Sequence, residues 1–217
     1  MKKLLFSLLV LGLVSVNTFA QETSEDYSKW QIRLRGLVIE PDQKAEVEII
    51  KGNVDVGTQF IPELDFTYFF SKNWAAELIL GTTKHDVNTI DSDLTLLGGP
   101  SSAEVDLGNV WLLPPTLTLQ YHFNGDKAHP YLGAGVNYTM FYNVDAGDVV
   151  DVDYENAFGV AMQAGIDFDL NDKWFINADV KYIFLSTDVT VNAGAAILDA
   201  DVDINPFIAG IGIGRRF

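Results

Sequence analysis

The chain has 217 residues, with 30 Asp or Glu against 14 Lys or Arg, a formal net charge of −16 and no cysteine. Binding a polyanion takes a basic face, so this balance excludes nucleic acid as a partner. The lack of cysteine excludes a disulfide framework, a thiolate metal site and a cysteine nucleophile, and the length fits one domain.

Residues 1–20 read as a secretory signal peptide. Lys2 and Lys3 give a positive start, Leu4 to Val16 an apolar run, and Thr18-Phe19-Ala20 small residues at −3 and −1 before Gln21. The run is too short to span a bilayer comfortably, and no later segment holds eighteen consecutive apolar residues. Residues 21–217 are therefore either a soluble exported protein or a β-barrel whose strands are each half apolar.

Strand periodicity decides between these. Trp30, Ile32, Leu34, Gly36 and Val38 alternate with Gln31, Arg33 and Arg35, and Leu64, Phe66, Tyr68 and Phe70 with Glu63, Asp65 and Thr67. Ala76, Leu78 and Leu80 oppose Glu77, Ile79 and Gly81; Leu117, Leu119, Tyr121 and Phe123 oppose Thr116, Thr118, Gln120 and His122. Leu132 to Met140 repeats the pattern against Gly133, Gly135, Asn137 and Thr139, and Phe158 to Leu170 against Gly159 to Asp169. Ile176 to Phe184 opposes Asn177, Asp179 and Lys181, and Phe207 to Ile213 with Phe217 opposes Gly210, Gly212, Gly214 and Arg216. Period two is the signature of a strand with two unlike faces.

Length and connections point to a membrane barrel. The strands run about ten residues, which is what a tilted strand needs to cross a bilayer. Ser71-Lys72-Asn73, Asn124 to Ala128 and Asn171-Asp172-Lys173 are short turns, whereas 40–57, 86–106, 143–156 and 186–201 are long and acidic. Short turns on one rim and long loops on the other are the outer-membrane arrangement. Tyr68, Phe69, Phe70, Trp74, Tyr121, Phe123, Tyr131, Phe168, Trp174 and Phe175 sit beside the turns and read as an interfacial aromatic girdle. The expected fold is an all-β, eight-stranded antiparallel transmembrane barrel over 21–217.

Several strings along this chain resemble one known family. They are Trp30-Gln31-Ile32-Arg33-Leu34-Arg35 with Pro41, Pro62-Glu63-Leu64 before Thr67-Tyr68-Phe69-Phe70, and Lys84-His85-Asp86. They continue with Leu112-Leu113-Pro114-Pro115-Thr116-Leu117, with Pro130-Tyr131-Leu132-Gly133-Ala134-Gly135-Val136-Asn137-Tyr138-Thr139, and with Asn205-Pro206 before the last strand. Together they resemble the outer membrane protein W family over nearly the whole chain after the leader. The resemblance implies a monomer in the outer membrane of a Gram-negative bacterium, whose narrow, partly hydrophobic lumen passes small hydrophobic molecules. At the family level, a terminal aromatic such as Phe217 is what the outer-membrane assembly machinery reads. The long loops match no family pattern, which leaves the solute open.

The inward residues can be ordered by height if the N-terminus starts in the periplasm. Arg33 and Arg35 then lie low with Leu37 and Ile39 above, Glu77 lies below Ile79, Asn137 and Thr139 below Phe141, and Asp179 and Lys181 below Ile183. The upper lumen is expected to be apolar, at Leu37, Ile39, Ile79, Phe141 and Ile183. The lower lumen is expected to hold a salt-bridged plug of Arg33, Arg35 and Lys181 with Glu63, Asp65, Glu77, Asp167, Asp169 and Asp179. Unpaired charges in so narrow an interior are costly, and eight strands leave room for side chains or one small ligand. The same residues also fit a purely stabilising network with no transport role.

A greasy solute that meets charge below needs another way out. Pro114-Pro115 interrupts the N–H ladder of the fourth strand, which fits a lateral opening into the membrane and equally fits a bulge or early strand end. His85, His122 and His129 form no recognisable Ser/His/acid constellation, so no catalytic residue and no enzyme is expected. Asp145, Asp148, Asp151, Asp153 and Glu155 crowd one loop without calcium-loop spacing and read as a solvated face, so no metal or cofactor is expected. Expected contacts are outer-membrane lipid, lipopolysaccharide bridged through divalent cations, and small hydrophobic solutes. A barrel that transports nothing and acts in surface recognition through its loops is the alternative.

Overall fold

Alternation becomes a closed cylinder in the computed structural model, which describes residues 27–42, 44–47, 53–93, 95, 99–194 and 196–217. The expected signal peptide, 1–20, lies outside the described residues. In chain order the strands are β1 (Trp30–Glu40), β2 (Lys44–Val47), β3 (Asn53–Val56), β4 (Gln59–Phe69), β5 (Trp74–Leu80), β6 (Thr83–Ser92), β7 (Ala103–Leu113) and β8 (Thr116–His122). They continue with β9 (Ala128–Asp145), β10 (Asp151–Tyr154), β11 (Ala157–Asp169), β12 (Trp174–Phe184), β13 (Ser186–Asn192), β14 (Ile197–Asp203) and β15 (Phe207–Arg216).

The cylinder runs β1-β4-β5-β8-β9-β11-β12-β15, every neighbour antiparallel, and closes where β15 pairs with β1 from Gln31↔Arg216 to Glu40↔Phe207. Closure leaves no edge strand in the ring, so backbone groups are paired within the wall, as lipid requires. Side-chain parity follows the sequence pattern: Arg33 is fully buried in the lumen while its neighbour Leu34 is 55% exposed on the outer wall. The tight turns are held locally. Ser71 Oγ accepts from the backbone N–H of Asn73 and Trp74, and Asn171 Oδ1 does the same for Lys173 and Trp174.

Above the cylinder the wall continues as two sheets, one ordered β3-β6-β7-β9 and the other β10-β13-β14-β2. Much of what the sequence presents as long acidic loop is therefore strand. The reason is period two in disguise. In Asp199-Ala200-Asp201-Val202, as in Asp151-Val152-Asp153 and Asp188-Val189, the carboxylates point outward while Val152, Val189 and Val202 pack together inside.

The aromatic girdle is present in part. Trp30 packs on Tyr68 at 4.8 Å, and Trp74 on Tyr121 at 5.1 Å. Phe69, Tyr131 and Phe175 do not belong to it, because each shares parity with an inward file and is buried inside the barrel. Phe175 and Tyr131 fit there because glycines face them: a methyl at Gly214 would lie 2.2 Å from Phe175 Cζ, and one at Gly165 2.4 Å from Tyr131 Cζ.

Candidate functional site: a lumen divided by a charged partition

Three layers fill the interior. The lowest is a polar vestibule of ≈ 320 Å³ at the turn end, bordered by Gln31, Phe69, His122, His129, Asp169 and Arg216 among others. Its ceiling is aromatic, with His122 lying between Phe69 at 4.7 Å and a stacked Tyr131 at 4.8 Å.

The middle layer is the charged partition. β1 delivers Arg33 and Arg35 on one inward file, and β4, β5, β11 and β12 deliver carboxylates at the same height. Arg33 pairs with Asp65 at 2.7 Å, with Glu77 and, at 3.7 Å, with Asp167. Arg35 reaches Glu63 at 2.6 Å, Asp65 at 3.1 Å, Glu77 at 3.2 Å and Asp179 at 3.2 Å. Lys181 pairs with Glu63 at 3.2 Å and Asp179 at 3.8 Å. Three cations thus meet five carboxylates, and neutral donors reach several of the carboxylate oxygens as well, while Asp65 Oδ2 and Asp179 Oδ1 face Arg35 through ion pairs alone. Gln120 Nε2 donates to Glu77 at 2.7 Å, Gln163 Nε2 to Asp179 at 2.9 Å, Asn177 Nδ2 to Asp167 at 2.8 Å and Tyr131 Oη to Asp179 at 2.7 Å. Buried charge is tolerated only when paired and hydrogen-bonded in this way.

Eight of the nine residues expected in the plug meet there. Asp169 does not. Last on its strand and part-exposed, it bonds Arg216 and His129 at the rim of the vestibule. Tyr131, Gln120, Gln163 and Asn177 were not legible as members, although their parity put all but Tyr131 on the inward face. Tyr131 was hidden by its place beside a turn, where an aromatic reads as interfacial.

The third layer is apolar. Leu37, Ile39, Ile183, Ala161 and Ile208 form a buried shelf directly above the charges. Over it opens a cavity of ≈ 160 Å³ between the two upper sheets, whose wall exposes almost no polar atom. Ile39, Phe141 and Ile183 line it, and Leu37 lies in the shelf beneath. Ile79 is buried in the cylinder wall below the cavity, since the cavity lining on its own side begins at Thr83. Nearly half of the lining comes from segments the sequence presents as loop, with residues such as Val87, Val105, Val189 and Ala200. Two threonines on the wall engage their hydroxyls elsewhere: Thr187 donates to the Glu155 carbonyl at 2.6 Å and Thr139 to Asn137 at 2.8 Å. His85 also lines the cavity, its Nε2 at 3.2 Å from Thr83.

The wall beside the cavity is incompletely zipped. β5 and β8 pair up to Ile79↔Thr116, and β6 and β7 resume at Thr83↔Leu112, so 80–82 and 113–115 share no ladder pairing. Pro114 and Pro115 stand there, tied instead to β9: the Pro115 carbonyl accepts from Tyr138 N–H at 3.1 Å and the Pro114 carbonyl from Asn137 Nδ2 at 3.3 Å. A longer seam, not read from the sequence, flanks it. The β4–β5 ladder ends at Leu64↔Leu80 and β3–β6 begins at Val56↔Val87, leaving 57–63 opposite 81–86 without ladder pairing. Pro62 sits in that stretch, where an N–H would be missing in any case. Phe217 ends the chain on the outer face, its N–H donating to the Trp30 carbonyl at 2.9 Å.

A model of the OmpW family matches residues 28–217. Outer membrane protein W of Vibrio cholerae is similar at 32% identity, covering 100% of both chains. The dibenzothiophene metabolism operon protein PahQ of Pseudomonas aeruginosa is 27% identical over 91% of this chain and 93% of its own. The crystal structure of the outer membrane protein OprG from Pseudomonas aeruginosa superposes with a TM-score of 0.77 at 26% identity, covering 89% of this chain and 97% of that one.

Proposed function

From the premise that this chain belongs to the OmpW family and is an outer-membrane β-barrel, we propose that it is a non-catalytic, monomeric conduit by which small hydrophobic molecules pass into the outer membrane. The observation that carries the reading is the layering of the lumen: an apolar cavity between the upper sheets stands on a floor of paired charges. A cavity of about 150 Å³ lined by aliphatic and aromatic groups stays dry and takes a benzene-sized guest. The cavity here is of that size, so a single aromatic ring or a short hydrocarbon fits. The Pseudomonas aeruginosa relative belongs to a dibenzothiophene metabolism operon; that compound is larger than one ring but apolar and aromatic, which supports an apolar solute class.

Downward passage would bring an apolar body against eight charged side chains. Sideways passage meets only the seam at Pro114-Pro115 and its continuation beside Pro62, where no ladder bonds need to break. The exit is therefore lateral, and the charged layer acts as a deflecting floor. Flux in proteoliposomes tests the function, with a hydrophobic and a hydrophilic probe of equal size. The hydrophobic probe is expected to be favoured; preference for the hydrophilic one removes the proposal. A second reading, surface recognition, draws on the acidic outer faces of β10, β13 and β14, which would meet lipopolysaccharide phosphates through divalent cations. It predicts activity that survives a blocked lumen.

A further inference from the structure

Charge is almost absent from the outward face of the cylinder. Among the described residues, the outward positions of its eight strands are uncharged except for Glu40 at the loop end of β1 and Arg215 at the turn end of β15. A cation on a lipid-facing strand is costly at the midplane of the bilayer and tolerated near the interface, which is where the turn end of β15 places Arg215. Its neighbour Arg216 points inward and pairs with Asp167 and Asp169; Arg215 has no such carboxylate among the described residues.

What Arg215 has is a frame. Its guanidinium carbon lies 5.6 Å from the centre of the Trp174 ring and 4.8 Å from that of Phe217. Two ring faces hold the group in place by cation–π attraction without using its hydrogens. Its Nε is shielded from solvent and has no hydrogen-bond partner among the described residues. Its two Nη groups are not shielded in this way and are the donors open to an anion, and a guanidinium can grip a phosphate through two parallel hydrogen bonds. The row immediately above Arg215 is Ile176, Ile213 and Leu34, three exposed side chains side by side across β12, β15 and β1. Below it, the backbone of Lys173 and Trp30 closes the rim. A phosphate held at Arg215 would leave the acyl chains of the same lipid against this apolar wall.

We propose that Arg215, framed by Trp174 and Phe217, binds the phosphodiester of a phospholipid headgroup in the periplasmic leaflet. The site lies on the outer wall and is independent of the conduit. The intact barrel in phosphate-free alkyl glucoside micelles, labelled at arginine Nε, is titrated with short-chain phosphatidylglycerol, short-chain phosphatidylcholine or inorganic phosphate. The Arg215 Nε–H resonance is expected to move saturably with both lipids and not with inorganic phosphate, while the resonances of Arg33 and Arg35 stay put. Native mass spectrometry is expected to show one retained phospholipid, held about tenfold or more weakly in Arg215→Gln. Trp174→Leu, which keeps the charge and removes one ring, is expected to weaken retention as well. An Arg215 resonance unmoved by either lipid overturns the proposal. So does an equal response to inorganic phosphate, which would mark a free-anion site. The titration of the unsubstituted protein decides the matter even if a variant does not fold.

Discussion

The ring of Tyr131 covers Gly165, its cross-strand partner, so closely that a methyl on Gly165 would lie 2.4 Å from both Cζ and Oη. That same Oη donates to Asp179 and accepts from Asn177 Nδ2 at 3.1 Å and from Arg33 at 3.3 Å. Gly165→Ala therefore displaces the hydroxyl that ties three parts of the partition together. Overpacking of this kind costs about 1–3 kcal/mol, and a urea midpoint lowered accordingly in lipid vesicles is the expected readout.

Two ion pairs in the barrel should differ sharply in weight. Arg33→Ala leaves Asp65, Glu77 and Asp167 buried beside an empty space, and breaking one partner out of such a cluster costs about 3–5 kcal/mol. Asp169→Asn loosens a part-exposed pair at the rim and is expected to cost about 1 kcal/mol or less. Comparable losses in unfolding experiments on the two variants would contradict the layering.

Tyr154 carries its hydroxyl into the upper sheets with no hydrogen-bond partner among the described residues. Burial pushes its phenol from the usual value near 10 up to about 12. The neutral form is therefore favoured by folding, and stability present below pH 10 is lost as pH rises from 10 toward 12. Tyr154→Phe removes both the orphaned hydroxyl and this pH dependence. It is expected to be neutral or stabilising by about 1 kcal/mol at pH 7, with an advantage that widens above pH 10 in a denaturation series.

Pro114 and Pro115 supply no N–H to the wall. Pro114→Val with Pro115→Thr restores one donor toward 80–82, at 114, and one toward β9, at 115, where the carbonyl already meets Tyr138, and is expected to narrow the seam. Uptake of a hydrophobic probe into liposomes should fall while gel mobility of the folded form stays the same. Unchanged flux places the exit elsewhere, with the longer stretch at 57–63 the next to close.

Much of this was legible in the sequence because a barrel strand must alternate. Arg33 and Arg35 between Ile32, Leu34 and Gly36 can only be lumenal, and their carboxylate partners on β4, β5 and β12 follow from the same parity. Parity also places Gly210, Gly212 and Gly214 inward, but not what they make room for; Leu37 fills that space at Gly210, Arg35 at Gly212, and Arg33 with Phe175 at Gly214. Register between strands is a property of the closed ring, so the separation of Asp169 from the other carboxylates was invisible. The upper sheets were missed for a different reason. Asp at every second position reads as a solvated loop when charge is counted, and as a strand only when the valines between are counted instead.

The partition also constrains how the barrel can be built. Lys181 and Glu63 meet across 118 positions of chain, and Arg33 gathers partners from three other strands. Only Arg33–Asp65 joins strands of one hairpin, β1 and β4; the other bonds need strands that the ring brings together. An inserting intermediate thus carries naked carboxylates and guanidinium groups that hydrocarbon will not accept, and it must keep them hydrated until the first and last strands zip. Ring closure and charge neutralisation then become a single event, which makes a half-assembled barrel unstable in either direction and gives the finished one a steep, all-or-none transition.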